Sequence, residues 1–343
     1  MSLKNWMAAA LLAPVVLSAA AVEVKPGAER IEVIIDGRPF TTYYFARDVA
    51  KPYLMPLGTA AGVILTRGYP VGNDVSMADR KAPSFEPHQR PLYFGHGDVS
   101  GVDFWAEEVF APLLGGAARN AAAAPEARRA YGRMALTKVE EARGGADSGT
   151  VRARFNLEDP HHRILGEETQ TFTFRGDRRT RTIDCEFVIY AGLNPVVFGD
   201  TKEGTFGIRL RAELSAPHDH MTNSNGAQGE PAIWGKPADW VNYSGAVEGK
   251  PVGIAVFDSP TSFRHPTTWH ARAYGLFAAN PFGLRDFTND PNKDGSWTLR
   301  EGKSLAFRYR VVIYDGEMTP AQLAELYRQY SRQPANAVTR PMR

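Results

Sequence analysis

The sequence predicts an all-β protein, a large antiparallel β-sandwich with one C-terminal helix. Two observations predict it. Short runs rich in Val, Ile, Thr, Phe and Tyr recur between Gly, Asp and Pro, which is the punctuation of strands and turns. Only one segment, near the C-terminus, combines helical periodicity with a helix start signal. Without alternating strands and helices there is no basis for a parallel sheet, so the strands are expected to pack as antiparallel sheets in one domain over residues 22–343.

The elements follow in order. Ile31 to Ile35 and Thr41 to Phe45 flank Asp36-Gly37, a strong signal for a tight hairpin. Tyr53 to Leu57 and Val63 to Thr66 are short strands set apart by Gly and Pro. The alanine-rich stretch 111–130 differs from its surroundings and reads as a surface insertion. Strand signals resume at 132–139, 150–157, 167–175 and 180–190. In the last, Ile183, Cys185, Phe187 and Ile189 alternate with Thr182, Asp184, Glu186 and Val188, so one face belongs in the core and Asp184 and Glu186 lie on the other. Runs at 204–214, 251–258, 269–278, 296–300 and 304–314 continue the pattern. The helix is expected over 319–333. Thr319 suits the N-cap, Pro320 the first turn and Gln322 a capping box, while Leu323, Leu326, Tyr327 and Tyr330 share a face.

The N-terminus carries Lys4, an apolar run from Met7 to Leu17 and then Ser18-Ala19-Ala20-Ala21. This is the layout of a secretory signal over residues 1–21, and the run is too short for a membrane span. A bacterial periplasmic or secreted location is expected, with no span in the mature chain. A single cysteine, Cys185, excludes an internal disulfide. With 40 basic against 38 acidic residues and no basic stripe, nucleic acid is excluded as the expected partner.

The candidate site centres on residues 86–105, which read as a glycine-rich loop bearing His88, Arg90, His96 and Asp98. Histidine titrates near neutrality and an aspartate can orient it. His96 and Asp98 are the candidates for chemistry; His88 and Arg90 are candidates for binding. Glu203 reads as a general base with Lys202 beside it to bind a ligand hydroxyl, and His270 as the proton-transfer partner of His96. Asn223, Trp234, Lys236, Trp240 and Tyr243 lie in a loop-rich, aromatic segment that could stack on and hydrogen-bond a ligand; His265 and Trp269 extend this wall. No cofactor is expected. A divalent metal on His88, His96 and His270 is the weaker alternative, because tetrahedral coordination demands more than their spacing offers. Asp290, Asn292, Asp294, Gly295 and Glu301 match a calcium-loop pattern, but the following segment reads as strand where an EF-hand needs a helix.

Several long motifs occur in order: Tyr93 through Trp105, Phe198 through Arg209, Trp234 through Gly245, and His265 through Gly283. In these the chain resembles the DUF6807 family over most of its mature length. Members are often labelled PmoA-like or methane oxygenase, after an integral membrane subunit, whereas this chain has no segment suited to spanning a bilayer. The resemblance implies an exported bacterial protein with a supersandwich like that of galactose mutarotase. The family's usual His-His-Arg reads His88-Gln89-Arg90 here, so the middle position cannot supply an indispensable histidine.

Together these readings lead to an exported carbohydrate-active enzyme using general acid and base chemistry on a sugar or modified sugar, of epimerase, lyase or hydrolase type. The partner would be a carbohydrate or another small polar ligand. The alternatives are a non-catalytic periplasmic carbohydrate-binding protein and a metal-dependent oxygenase or hydrolase.

Overall fold

A computed structural model describes residues 20–68, 86–109, 130–215 and 220–334. Apart from Ala20, Ala21 and Ala130, the expected signal segment and the alanine-rich insertion lie outside the described residues. In chain order the strands are β1 (Val22–Pro26), β2 (Arg30–Ile35), β3 (Arg38–Tyr44), β4 (Tyr53–Met55), β5 (Leu92–His96), β6 (Val102–Asp103) and β7 (Ala130–Tyr131). Next come β8 (Arg133–Arg143), β9 (Gly149–Glu158), β10 (Ile164–Gly176), β11 (Thr180–Tyr190), β12 (Val196–Phe198), β13 (Gly204–Arg209) and β14 (His220–Asn223). The last are β15 (Trp240–Val247), β16 (Lys250–Asp258), β17 (Trp269–Ala271), β18 (Leu276–Ala279), β19 (Trp297–Leu299) and β20 (Ser304–Asp315).

Two eight-stranded antiparallel sheets dominate. The first runs β1-β2-β3-β4-β5-β13-β18-β17 and the second β14-β15-β16-β20-β11-β10-β9-β8. One apolar cluster fills the space between them. Phe94 of the first sheet stacks on Phe187 of the second with ring centroids 4.3 Å apart, and Phe206 on Tyr309 at 4.7 Å. The alternation read in β11 is realised, with Ile183, Cys185, Phe187 and Ile189 buried and Asp184 and Glu186 on the outer face. The Asp36-Gly37 hairpin is also realised: both residues have positive φ, 54° and 68°, which matches the twist of the paired strands.

The C-terminal helix spans Pro320–Ser331, and the Thr319–Gln322 capping box forms in both directions. Its buried face closes a second, smaller apolar cluster around Trp240, Phe257 and Tyr314. Two short helices, Glu230–Ile233 and Leu284–Thr288, have no sequence expectation, because one turn is too short to show periodicity.

Two segments read as loops are strands, with consequences for the site. Leu92 to His96 is β5, in the middle of the first sheet, and Trp240 to Val247 is β15 in the second. Conversely, Val63 to Thr66 forms only isolated bridges to Gly58 and Leu210, and 269–278 divides into β17 and β18.

Candidate functional site on the outer face of the first sheet

Strand register lines up one row of residues across five neighbouring strands. Tyr53 lies opposite Tyr93, Tyr93 opposite Gly207, Gly207 opposite Ala278, and Ala278 opposite His270. Side chains alternate between sheet faces. Phe94, Phe206 and Phe277 point into the inter-sheet core, while Tyr53, Tyr93, Leu276 and Ala278 form a separate cluster with Trp105 on the outer face. Gly207 keeps that face low. A Cβ there would lie 2.8 Å from Tyr93 Cζ and 2.9 Å from Trp105 Cη2, inside van der Waals contact.

Beside this row the segment 199–204 is held through its carbonyls. The Gly199 oxygen accepts from His96 Nε2 at 2.8 Å, Thr201 from Asn280 Nδ2 at 2.9 Å, Lys202 from His270 Nδ1 at 2.8 Å and Glu203 from the Gly97 amide at 2.7 Å. The Lys202 amide donates to Asp286 at 2.9 Å, and Asp200 accepts from the Arg285 amide at 3.0 Å. So many bonds hold the backbone from which the Lys202 and Glu203 side chains project. Their charged ends are 3.5 Å apart and both remain partly exposed.

Glu203 forms the centre of a charged group. Its charge raises the pKa of Glu86, Tyr93 and Tyr274, in each case adding to the larger effect of burial. For Glu86 the guanidinium groups of Arg209 and Arg67 act in the opposite direction without cancelling the rise. Both arginines are buried. Arg67 donates to the carbonyls of Glu86 at 2.5 Å and Gln89 at 2.7 Å, while Arg209 donates to Gln89 Oε1 at 2.8 Å and lies 4.5 Å above the Tyr274 ring. Gln89 thus ties Arg209 to the segment that leads into β5, and it also bonds Tyr274.

Four buried polar atoms on or beside this face have no hydrogen-bond partner among the described residues: Tyr93 Oη, Trp105 Nε1, His270 Nε2 and Trp234 Nε1. Buried polar groups are nearly always bonded, so this concentration is unusual, and all four atoms lie beneath the surface. Trp234 meets His270 and Phe287 edge to face, with centroids 6.4 and 5.3 Å away. Because His270 Nδ1 donates to a carbonyl, its Nε2 is an acceptor. Burial first, then the charges of Arg272 and Lys202, lower its pKa to about 3 against the opposing pull of the Lys202 carbonyl.

The structure separates the other sequence candidates from this group. His96 points into the core between Phe198 and Phe282, its Nδ1 lies against Gly204, and burial lowers its pKa to about 4. This is the geometry of a brace for Gly199, not of a proton donor exposed to substrate. Asp98 accepts from the Gly101 amide at 2.9 Å and packs on Gly199, so it does not orient His96 by a hydrogen bond. Arg90 is bound in bidentate fashion to Glu107 at 2.8 and 2.6 Å, with Lys51 3.3 Å from the same carboxylate. His88 is buried, 3.6 Å from Glu86. Asn223 closes a turn by accepting from the amides of Asn225 and Ala227, and Lys236 is exposed. Trp240 lies in the cluster under the C-terminal helix; Tyr243 and Trp269 are core residues bonded to backbone carbonyls. His265 bonds Asp258 at 2.9 Å, and despite the opposing effect of burial that carboxylate raises its pKa. Among the described residues no three or more His, Cys, Asp or Glu side chains are grouped to hold a metal. His96 and His270 each commit one ring nitrogen to a carbonyl, so the His88, His96 and His270 metal alternative has no geometric support.

Of the expected residues, Lys202, Glu203, Trp234 and His270 come together. Glu86, Arg67, Tyr93, Trp105, Arg209 and Tyr274 join them without a role expected from sequence. Glu86 opens the stretch rich in polar groups, and Tyr93, Arg209 and Tyr274 lie within the motifs quoted above; Arg67 gives no signal of its own.

The fold and this site define an all-β sandwich protein with a polar, aromatic-lined site on one outer sheet face. The chain belongs to the family of unknown function DUF6807, whose profile matches residues 30–328. Among curated proteins none matches significantly. Similar solved structures include a galactose mutarotase-like protein from Clostridium acetobutylicum, at 10% identity over 88% of this chain and 99% of that one, TM-score 0.40. Another is a putative aldose 1-epimerase from Escherichia coli K12, at 14% identity over 87% and 100%, TM-score 0.30. A third is a glycoside hydrolase family 97 variant from Pseudoalteromonas sp. strain K8, at 12% identity over 87% of this chain and 36% of that one, TM-score 0.32. Among the described residues no helix is long and apolar enough to cross a membrane.

Proposed function

We propose that this protein is an exported carbohydrate-active enzyme, of epimerase, lyase or hydrolase type, with Glu86 and Glu203 as its acid and base pair. The observation that carries the reading is the setting of Glu86: burial first, and the neighbouring Glu203 charge second, raise its pKa. A carboxyl inclined to hold its proton beside a second, partly exposed carboxylate is how one site supplies both an acid and a base. Glu86, with its raised pKa, is the proton donor. Glu203, next to the Lys202 ammonium, accepts the proton. Trp234 and Tyr274, both partly exposed, offer ring surface to the apolar side of a sugar, and the partly exposed Lys202 ammonium offers donors to its hydroxyls, over the buried Tyr93 and Trp105 rings. The signal-like N-terminus supports a periplasmic or secreted site of action.

The test is incubation with a panel of glycosides, keto-glycosides and uronates, followed by product analysis, with Glu86→Gln and Glu203→Gln alongside wild type. Turnover that falls by about 10²-fold or more in both variants supports the pair. Undiminished turnover removes them. Saturable binding without turnover of any compound would favour the non-catalytic carbohydrate-binding alternative.

A further inference from the structure

The outer face of the second sheet holds a separate cavity of about 150 Å³ between the strands, the 259–261 turn and the end of the C-terminal helix. Its floor is built by register. Thr171 lies opposite Glu186 and Glu186 opposite Arg308; in the next row Thr173 lies opposite Asp184, and Asp184 opposite Arg310. The walls are Thr261 on one side and Tyr330 on the other. This face is turned away from the core, so the cavity and the Glu86–Glu203 site lie on opposite sides of the sandwich.

Three arginines share two carboxylates, and each arginine is already bonded to one of them. Asp184 accepts from Arg310 at 2.5 and 2.8 Å and also bonds Arg175; Glu186 accepts from Arg308 at 2.6 Å. Arg308 also donates to the Thr261 carbonyl at 3.0 Å, and Arg310 covers the Tyr330 ring at 4.5 Å. An anion would have to compete with Asp184 and Glu186 for the arginines they already hold, and an apolar ligand would desolvate the ion pairs without replacing their water contacts. A neutral ligand rich in hydroxyls does neither. It can bond the remaining carboxylate lone pairs, which the ion pairs hold in fixed directions, and the threonine hydroxyls beside them. The volume is well below the roughly 300–1,000 Å³ of a drug-sized pocket, which limits the occupant to a single ring.

We propose that this cavity is a second saccharide-binding site, taking one neutral sugar ring as a free monosaccharide or as the end of a longer chain. It performs no chemistry. Its role is to hold a carbohydrate on the back of the sandwich, which raises the local concentration of a polymeric ligand at the opposite face. The proposal does not depend on the Glu86–Glu203 reading, because no residue is shared.

The test uses the methyl resonances of Thr171, Thr173 and Thr261 in full-length mature protein titrated with glucose, galactose, mannose and xylose, each alone, and separately with sodium sulfate and 1-propanol. The expected result is saturable movement of these signals with at least one sugar and none with sulfate or propanol. Thr173→Val, which removes a hydroxyl at constant shape, and Gln333→Ala at the rim should each weaken that sugar about fivefold or more. Glu203→Gln should leave it unchanged, which separates this site from the acid and base site. Saturation by sulfate or propanol in place of sugar, sugar shifts that do not saturate, or affinity unaltered in both cavity variants would overturn the proposal.

Discussion

His270 donates its Nδ1 hydrogen to the carbonyl oxygen of Lys202 over 2.8 Å, and by doing so fixes the backbone that presents Glu203. In the proposed site His270 is therefore a positioning residue, buried behind the segment it holds. His270→Asn should fold and lose part of the turnover, while His270→Ala, which leaves the carbonyl without its donor, should cost about 1–3 kcal/mol of stability in urea unfolding. A rise in KM with unchanged kcat on sugars would show a binding role only.

Acid sensitivity follows from the two buried histidines. His96 and His270 have folded pKa values of about 4 and about 3, pushed down mainly by burial, against an ordinary 6.5. The unfolded chain binds more protons between those limits, so stability falls as the pH drops from about 6.5. His96 alone contributes on the order of 3 kcal/mol to that loss by pH 4. Urea midpoints measured from pH 7 to pH 4 should slope steeply for wild type and less steeply for His96→Gln; parallel slopes would contradict the assignment.

Alkaline sensitivity has a different source. Glu168 lies in the core, bonded to Gln170 at 2.7 Å, which in turn accepts from Tyr43 at 2.8 Å. Burial raises the Glu168 pKa from 4.5 to about 8. Between those limits the folded state holds the extra proton, so stability declines as the pH rises towards 8. Glu168→Gln keeps the shape and removes the titration. Its unfolding midpoint, compared with wild type, should gain steadily from about pH 5 to about pH 8.

Gly207→Ala tests the outer-face row directly. The added methyl meets the Tyr93 and Trp105 rings below 3 Å, and the resulting displacement should cost about 1–3 kcal/mol. Ligand affinity at the Glu203 site should fall with it. Thermal unfolding and binding measured on the same preparation would check both effects.

Lys51→Met tests the buried ion group behind the row. Lys51 bonds the Trp105 carbonyl, lies 3.3 Å from Glu107 and sits 4.6 Å over the Tyr93 ring. Its removal leaves Glu107 with Arg90 alone in a buried setting. A loss of about 3–5 kcal/mol is expected, read as a fall in chemical-denaturation stability, and a change below about 1 kcal/mol would mean that Arg90 suffices.

The parts of the fold legible in sequence are those where one face is buried and the other wet. β11 and the Asp36-Gly37 hairpin show this: alternation and turn chemistry are local signals. β5 is not legible, because Tyr93, Gly95 and His96 do not look like a strand until partners lie on both sides. Reading it as a loop puts His96 at the surface when it belongs in the core. β15 misleads in the same way, making Trp240 and Tyr243 look like ligand contacts when they are packing residues. Glu203 and Lys202 stand out because they are charged residues at a strand entrance, whereas Glu86 and Arg67 matter only through neighbours that register brings to them.

The pairings that build the site join distant parts of the chain. His96 reaches Gly199 across 103 positions and Arg209 reaches Gln89 across 120. Loop closure over such distances must be met before these contacts stabilise anything, so folding should be slow and the outer-face row should be among the later features to form. Chains interrupted before β17 and β18 would expose the free edge of β13, which is an invitation to pair with another unfinished copy. Export before folding, the route a secretory leader would impose, would postpone that hazard until the whole chain is available.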